Sequence, residues 1–497
     1  MIYDYIVIGA GLSGLASAII LSKNGLKTAL IEKSHKTGPL LRGFKRKGYY
    51  FDTGFHHAGG IGVGSSGQVM LNYLGVLKHL TIIPSNPERF DVVRSLNPSF
   101  EFQFPVGYER ITERLHKVFP YDKRAIDEYI DEIKKQCSLL PFLNLDADPN
   151  SYNILENVHG ISLNEFMSNL TGNESLKLII SIHCLLNGVP PHEQAMNNYA
   201  YIVGPYYESV SYFQGGGLKI ITELERAAKE NGVDIFPNKN ATELVFSPAG
   251  DLTGIAFQDE SVMECKGCIS TIHPLHLLRI IPDSMFRPSY KTRIKSLEET
   301  HSAYILYGTS EIDLNTVFGS NLYVLPAAGV DFSDYSKPLE ERPINIVSSD
   351  LGKSESPSRE GFIAICPASI KETEQWEDSI TGDRPSGYIL FKEEIKERML
   401  KYIESSCPEM KEKIRAVDCS TPLTLRDYTG SPFGSMYGVK HRTEQYNPMP
   451  ITRVPNLFLA GQSIVAPGLL GSIISAFLAC GSILGKDFIR GELKKWI

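Results

Sequence analysis

The chain has 497 residues, 42% of them hydrophobic and 22% charged, with a formal net charge of −7. That length suits a large core, most simply two interleaved domains, and the composition is that of an ordinary globular protein. No arginine-rich stripe interrupts the acidic balance, which argues against nucleic acid as a partner.

The first element is a strand that runs into a glycine turn. Residues 3–14 read YDYIVIGAGLSG, so Gly9, Gly11 and Gly14 form a GxGxxG between an apolar run and a helix, LSGLASAIILSKNG, that ends at Gly25. A second apolar run, TALIEK, ends on Glu32 and Lys33, with Glu32 lying 18 residues beyond Gly14. Strand, glycine turn, helix, strand and acid in this order make a dinucleotide-binding unit. Gly9 permits the tight turn, Gly11 lets the backbone approach a pyrophosphate, and Gly14 lets the helix pack close to the strand. Leu12 and Ser13 open the helix, whose free N–H groups and partial positive charge face the phosphates. Glu32 accepts hydrogen bonds from a ribose diol, and its charge repels a 2′-phosphate. The unit therefore points to the adenosine half of FAD or NAD rather than NADP.

Farther along, Gly62, Gly64 and Gly67 repeat the glycine spacing but follow HHAGGI rather than a strand, and are expected to form a flexible loop. Residues 107–137 and 160–200 read as helical. The run YAYIVGPYYESVSYF, with Tyr199, Tyr201, Tyr206, Tyr207 and Tyr212, either lines a tunnel for a flat apolar substrate or packs in a core. Gly215, Gly216 and Gly217 lead a helix, followed by four strand-like runs: VDIFPN, ATELVFS, LTGIAFQ and CISTI. Cys265 and Cys268 form a lone CxxC without further ligands, so no metal is expected. Residues 391–405 read as a solvated amphipathic helix. Residues 454–485 carry no charge, but Pro455, Gly461, Pro467 and Gly468 break them into a strand, a turn and a buried helix, so no membrane span is expected. The eight cysteines and the absence of a secretory pattern suggest reduced thiols in a cytoplasmic setting.

The fold class implied is α/β: a discontinuous Rossmann-like domain from residues 1–105, 214–275 and 415–497. Residues 106–213 and 276–414 are assigned to a second, mixed α+β substrate domain.

The motifs together resemble the amine-oxidase-like flavoproteins, and within them the phytoene desaturase, carotenoid isomerase and above all retinol saturase branches. KTGPLLRGF, with Gly38 and Arg42, resembles the second glycine-rich motif of that superfamily. GYYFDTGFHHAGG, containing Gly54, resembles a segment that passes the flavin. GGGLKIITELERAAKENGVDI resembles the motif whose strand reaches the adenosine side. TPLTLRDYTGSPFGSMYG and PNLFLAGQSIVAPGLLGSIISAFLACGSIL resemble the C-terminal signature, with Gly461, Gln462, Gly468, Leu469 and Gly471 at the cofactor. Two positions depart from the pattern: Pro39 replaces a glycine and removes an N–H, and Gln462 stands where many relatives carry an acid.

The resemblance implies FAD, with Arg42 as a charged partner for its pyrophosphate and the helix after Pro467 supplying positive potential to the isoalloxazine. It implies saturation or cis–trans isomerisation of a retinoid- or carotenoid-like double bond by reduced flavin. Desaturation, and an amine-oxidase-type reaction, stand as alternatives, and a flavin-holding carrier without turnover as a third class. His56 and His57 are candidate proton donors tuned near neutral pH, with Tyr437 and His441 as further catalytic candidates. Electrons would come from NAD(P)H or an external reductase. An apolar substrate suggests peripheral membrane contact, with Lys494, Lys495 and Trp496 of the tail as the contact point.

Overall fold

The structure, a computed structural model, describes residues 2–151, 158–327, 331–349 and 360–497. Two seven-stranded sheets organise it. In the first, strand Tyr3–Ile8 is central. It pairs in parallel with Thr28–Ile31 on one side and Val262–Ser270 on the other. Asp234–Phe236 extends the sheet beyond Thr28–Ile31, and Leu457–Leu459 pairs with the end of Val262–Ser270, both in parallel. Leu252–Phe257 and Ala241–Phe246 complete it as an antiparallel flap. Parallel strands need both faces covered. Accordingly, residues 12–21 of helix Leu12–Lys23 are all buried, and the C-terminal helix Gly468–Leu484 is buried from Gly471 to Gly481. The two helices touch through small residues, with Ser13 Oγ donating to Ser472 O at 2.9 Å. Among the described residues no helix is long and apolar enough to cross a membrane.

The second sheet runs in the order Ile414–Ser420, Ser302–Ser310, Glu360–Ala368, Ile344–Ser349, Asn321–Leu325, Asp91–Leu96, Ser99–Phe104. It is antiparallel except where Asn321–Leu325 meets Asp91–Leu96. Strands 91–96, 99–104 and 414–420 thus lie outside the Rossmann-like sheet, although the sequence division placed 1–105 and 415–497 with it. Their alternating apolar pattern fits either sheet, and pairing decides the matter. Helix Ser386–Ser406 is longer than the expected 391–405 and buries Ile395, Met399 and Ile403.

The tyrosine run makes a core, not a tunnel. Helix Met196–Glu208 packs on Lys123–Leu139, and none of the five tyrosines reaches the large cavity. The hydroxyl of Tyr129 bonds to those of Tyr207 (3.0 Å) and Tyr199 (3.2 Å). Tyr207 continues to His183 Nδ1 (3.1 Å), and His183 Nε2 meets Asp91 Oδ2 (3.0 Å). Asp91 Oδ1 accepts from Tyr206 (3.0 Å) and Asn321 (2.6 Å). Buried hydroxyls in a closed network satisfy one another, which is why so many tyrosines fit inside.

Gly62 and Gly64 form a loop before Ser65, which caps helix Ser66–Tyr73 by accepting from Gln68 N. Cys265 and Cys268 lie buried on one strand, with burial pushing the Cys265 thiol up to about 12. No metal-holding group of side chains occurs among the described residues. The tail is tied down. Lys494 pairs with Asp146, Lys495 with Glu492, and Lys23 Nζ sits 5.2 Å above the Trp496 ring. The tail cations expected at a bilayer are therefore already matched.

Candidate active site

A cavity of about 1200 Å³ opens between the two sheets. Small-molecule sites commonly span about 300–1,000 Å³, so this one exceeds the space a single small ligand needs. Two helix starts point into it. Helix Leu12–Lys23 begins after Gly11, and helix Gly468–Leu484 after Pro467. Neither start has a side-chain cap or an acidic residue in its first turn. Uncapped N–H groups carry roughly half a positive charge and suit an anion. A Cβ at Gly11 or Gly468 would meet nothing within 4 Å, so both backbones are open toward the cavity. Gly14 and Gly471 serve packing instead. A Cβ on Gly14 would lie 1.8 Å from Gly9 O, and one on Gly471 would lie 2.4 Å from Ala466 O.

Gly9, Gly11, Leu12, Ser13, Glu32, Lys33, Gly38 and Gly54 all line the cavity, as do Gly461, Gln462, Gly468 and Leu469. The buried Glu32 carboxylate accepts from Ala10 N (2.9 Å) and Ser34 N (2.8 Å), which fixes it at the strand end. Lys239 N donates to Glu32 O, so the segment after strand Asp234–Phe236 reaches the same end. Gly461 N donates to Ser475 Oγ (2.8 Å), binding the C-terminal turn to its helix.

Arg42 does not line the cavity. Its guanidinium donates to Glu225 Oε2 (2.9 Å), Thr37 Oγ1 (2.9 Å) and Thr37 O, holding the loop on helix Gly216–Glu230. The pyrophosphate role expected of it is not one these contacts support. Asp52 is a residue whose task the sequence left unread. Its Oδ1 accepts from Gly217 N (3.0 Å) at the start of helix Gly216–Glu230, so two distant motifs meet there. An acid at a helix N-terminus is favourable, but only the fold brings these segments together.

The four catalytic candidates separate. His56 lines the cavity and His57 does not. Burial pushes His56 down to about 4, and burial with His56 alongside pushes His57 to about 3. Neither ring is tuned near neutral pH, contrary to expectation. His57 packs edge-on to Tyr212, and its Nδ1 has no partner in the described residues. Tyr437 lines the cavity, its hydroxyl donates to Leu185 O (3.3 Å), and burial lifts it to about 12. His441 is a clamp behind the wall. Asn447 Nδ2 donates to its Nδ1 (3.1 Å), and its Nε2 donates to Gln462 O (2.8 Å), so it positions the Gly461–Gln462 turn. A cluster not foreseen also borders the cavity: His273 Nε2 lies 2.5 Å from Glu299 Oε1, and Ser435 Oγ donates to Glu299 Oε2 at 2.5 Å.

The opposite wall is the second sheet. Ile305, Tyr307 and Ile365 from it line the cavity together with Met436. A dinucleotide-type turn, two open helix starts and an apolar sheet thus share one space. The profile of the flavin containing amine oxidoreductase family matches residues 12–335. The chain belongs to that family. It is a flavin-dependent oxidoreductase.

The oxidoreductase is 26% identical to the all-trans-retinol 13,14-reductase of Homo sapiens, over 99% of this chain and 87% of that protein. It is 21% identical to a 4,4'-diapophytoene desaturase of Staphylococcus aureus (strain MRSA252), over 92% of this chain and 93% of the other. The crystal structure of an oxidoreductase from Methanosarcina mazei shares the fold at a TM-score of 0.69 and 16% identity, covering 97% of this chain and 99% of that one.

Proposed function

We propose that the cavity holds FAD and that the protein acts on a carbon–carbon double bond of an apolar conjugated isoprenoid, saturating or isomerising it with reduced flavin. The observation that carries this reading is the sharing of one cavity by two uncapped helix starts and an apolar sheet face. The relatives named for retinol reduction and diapophytoene desaturation support the substrate class.

The residues present fit the cofactor. Backbone N–H groups at Gly11, Leu12 and Ser13 would hold the pyrophosphate, and Glu32 the adenosine ribose. The helix start at Gly468 and Leu469, with Gln462, would face the ring system and stabilise its negative charge on reduction. FAD bound there supplies hydride transfer. The protein's own part is to exclude water with Ile305, Tyr307 and Ile365 and to set a proton-bearing group, His56 or Tyr437, at the cavity wall. Electrons would come from a nicotinamide that visits the flavin or from a partner reductase.

The test has two readings of one preparation. The flavin released on denaturation is identified as FAD or FMN by mass. The bound flavin, first oxidised and then reduced, is mixed anaerobically with polyenes and with small amines. Release of FAD and conversion of a polyene support the proposal. Rapid flavin reduction by an amine, with every polyene untouched, replaces it with an oxidase.

A further inference from the structure

The chain carries a net −7, yet seven Lys or Arg side chains and three carboxylates line the cavity. Part of this reversal belongs to the Glu32 end, through Lys33 and Lys239. Another part lies on the opposite wall. Arg46, from the hairpin Phe44–Arg46 and Tyr49–Phe51, has Nε 2.5 Å from Asp418 Oδ2, and Lys392 Nζ lies 3.0 Å from Asp418 Oδ1. One carboxylate therefore serves two cations. Lys45, beside Arg46, also lines the cavity and makes no ion pair among the described residues. Glu393, the remaining carboxylate on this side, pairs with Lys396. Arg46 and Lys392 thus share Asp418, and Lys45 adds a third cation to this side of the cavity without an ion-pair partner among the described residues.

What lies next to them is apolar. Asp418 stands in register opposite Tyr307 on the second sheet, and Ile305 pairs with Ile365 two positions along. Residues two apart on a strand share a face, so the cations sit at one end of the strip Tyr307, Ile305 and Ile365. The hairpin is fixed over that strip, with the Phe44 ring 4.8 Å from Tyr307 in edge contact. Lys45 and Arg46 are exposed at this end, and a pure hydrocarbon gains nothing from solvated cations beside it. An anionic head offers Arg and Lys charge-assisted hydrogen bonds.

We propose that this wall receives the anionic head, a carboxylate or a phosphate ester, of an elongated apolar substrate whose chain lies along Tyr307, Ile305 and Ile365. The inference rests on the isoprenoid reading for the chain and not for the head.

Binding of all-trans-retinol, all-trans-retinoic acid and retinyl phosphate to the oxidised holoenzyme tests it. At least one anion is expected to bind about tenfold more tightly than retinol, with the advantage shrinking as salt rises. Which anion shows it identifies the head. Lys45→Gln, which breaks no ion pair among the described residues, is expected to reduce the advantage severalfold. Arg46→Gln is expected to remove most of it while flavin content is retained. Equal binding of the three retinoids, or an advantage that both variants leave intact, overturns the proposal. Where no retinoid binds, laurate is compared with dodecanol. A laurate preference that Lys45→Gln weakens upholds the anionic wall and rejects the isoprenoid chain, and no preference overturns the wall itself.

Discussion

His56 and His57 adjoin in sequence but meet different surroundings, since only His56 lines the cavity. Burial holds its ring near 4, so it is neutral at pH 7 and can donate a proton there only where the negative charge of a reduced flavin alongside raises that value. On the proposal that His56 is that donor, His56→Gln is expected to slow turnover by about 10²–10⁴-fold with flavin still bound, while His57→Gln, off the cavity, leaves the rate nearly unchanged. The reverse pattern in single-turnover rates would move the proton donor to His57; an unaffected His56 variant would leave Tyr437 as the donor. That Gly9, Gly11 and Glu32 line one cavity was legible because the backbone demands of a tight turn and a strand end are local. Arg42 and His441 were misread because a side chain's partner is a tertiary fact. Glu225 lies 183 residues from Arg42 and takes its charge, and Asn447 turns His441 toward a carbonyl.

At the scale of elements, the proposed cofactor site rests on the two open helix starts. Gly11 has an ordinary backbone conformation, φ −74°, and open space where a Cβ would be. Gly11→Ala is expected to leave the thermal stability of the flavin-free protein within about 0.5 kcal/mol, the usual range for a substitution that meets no special feature. It should still weaken flavin binding at least tenfold. Gly14→Ala, whose Cβ would strike Gly9 O, is expected to fail in folding instead. Equal flavin affinity in Gly11→Ala and the parent protein would remove this helix start from the site. The strands and helices of the Rossmann-like unit were readable from periodicity and turn glycines. Membership of the second sheet was not, because Asp91–Leu96 pairs with Asn321–Leu325 across more than 200 residues.

For the whole molecule, pH is one lever. His56, His301 and His441 are held near 4 and His57 near 3, each chiefly by burial. Unfolded histidines titrate near 6.5. The folded state is thus undisturbed by these groups above that value and loses stability as pH falls from about 6.5 toward 4. The loss is at most about 1.4 kcal/mol per pH unit for each histidine. Denaturant midpoints that stay flat between pH 7 and 4.5 would contradict the buried neutral rings. Access to the cavity is another whole-molecule property. Ile389 and Tyr428 line the cavity and are exposed, and Ile380, Leu390 and Phe433 are exposed on the neighbouring segments. We place the proposed peripheral membrane contact there rather than at the paired tail. Leu390→Asp with Ile380→Asp, neither of which lines the cavity, is expected to lower vesicle co-sedimentation severalfold while turnover of detergent-dispersed substrate persists, and unchanged sedimentation would reject that surface. The central claim, reduced-flavin chemistry on an isoprenoid double bond, is tested most directly by the mass of an all-trans polyene recovered after anaerobic incubation with the reduced holoenzyme. The account predicts either a gain of two hydrogens or an unchanged mass with a shifted absorption spectrum. A polyene recovered with both mass and spectrum unaltered would contradict it.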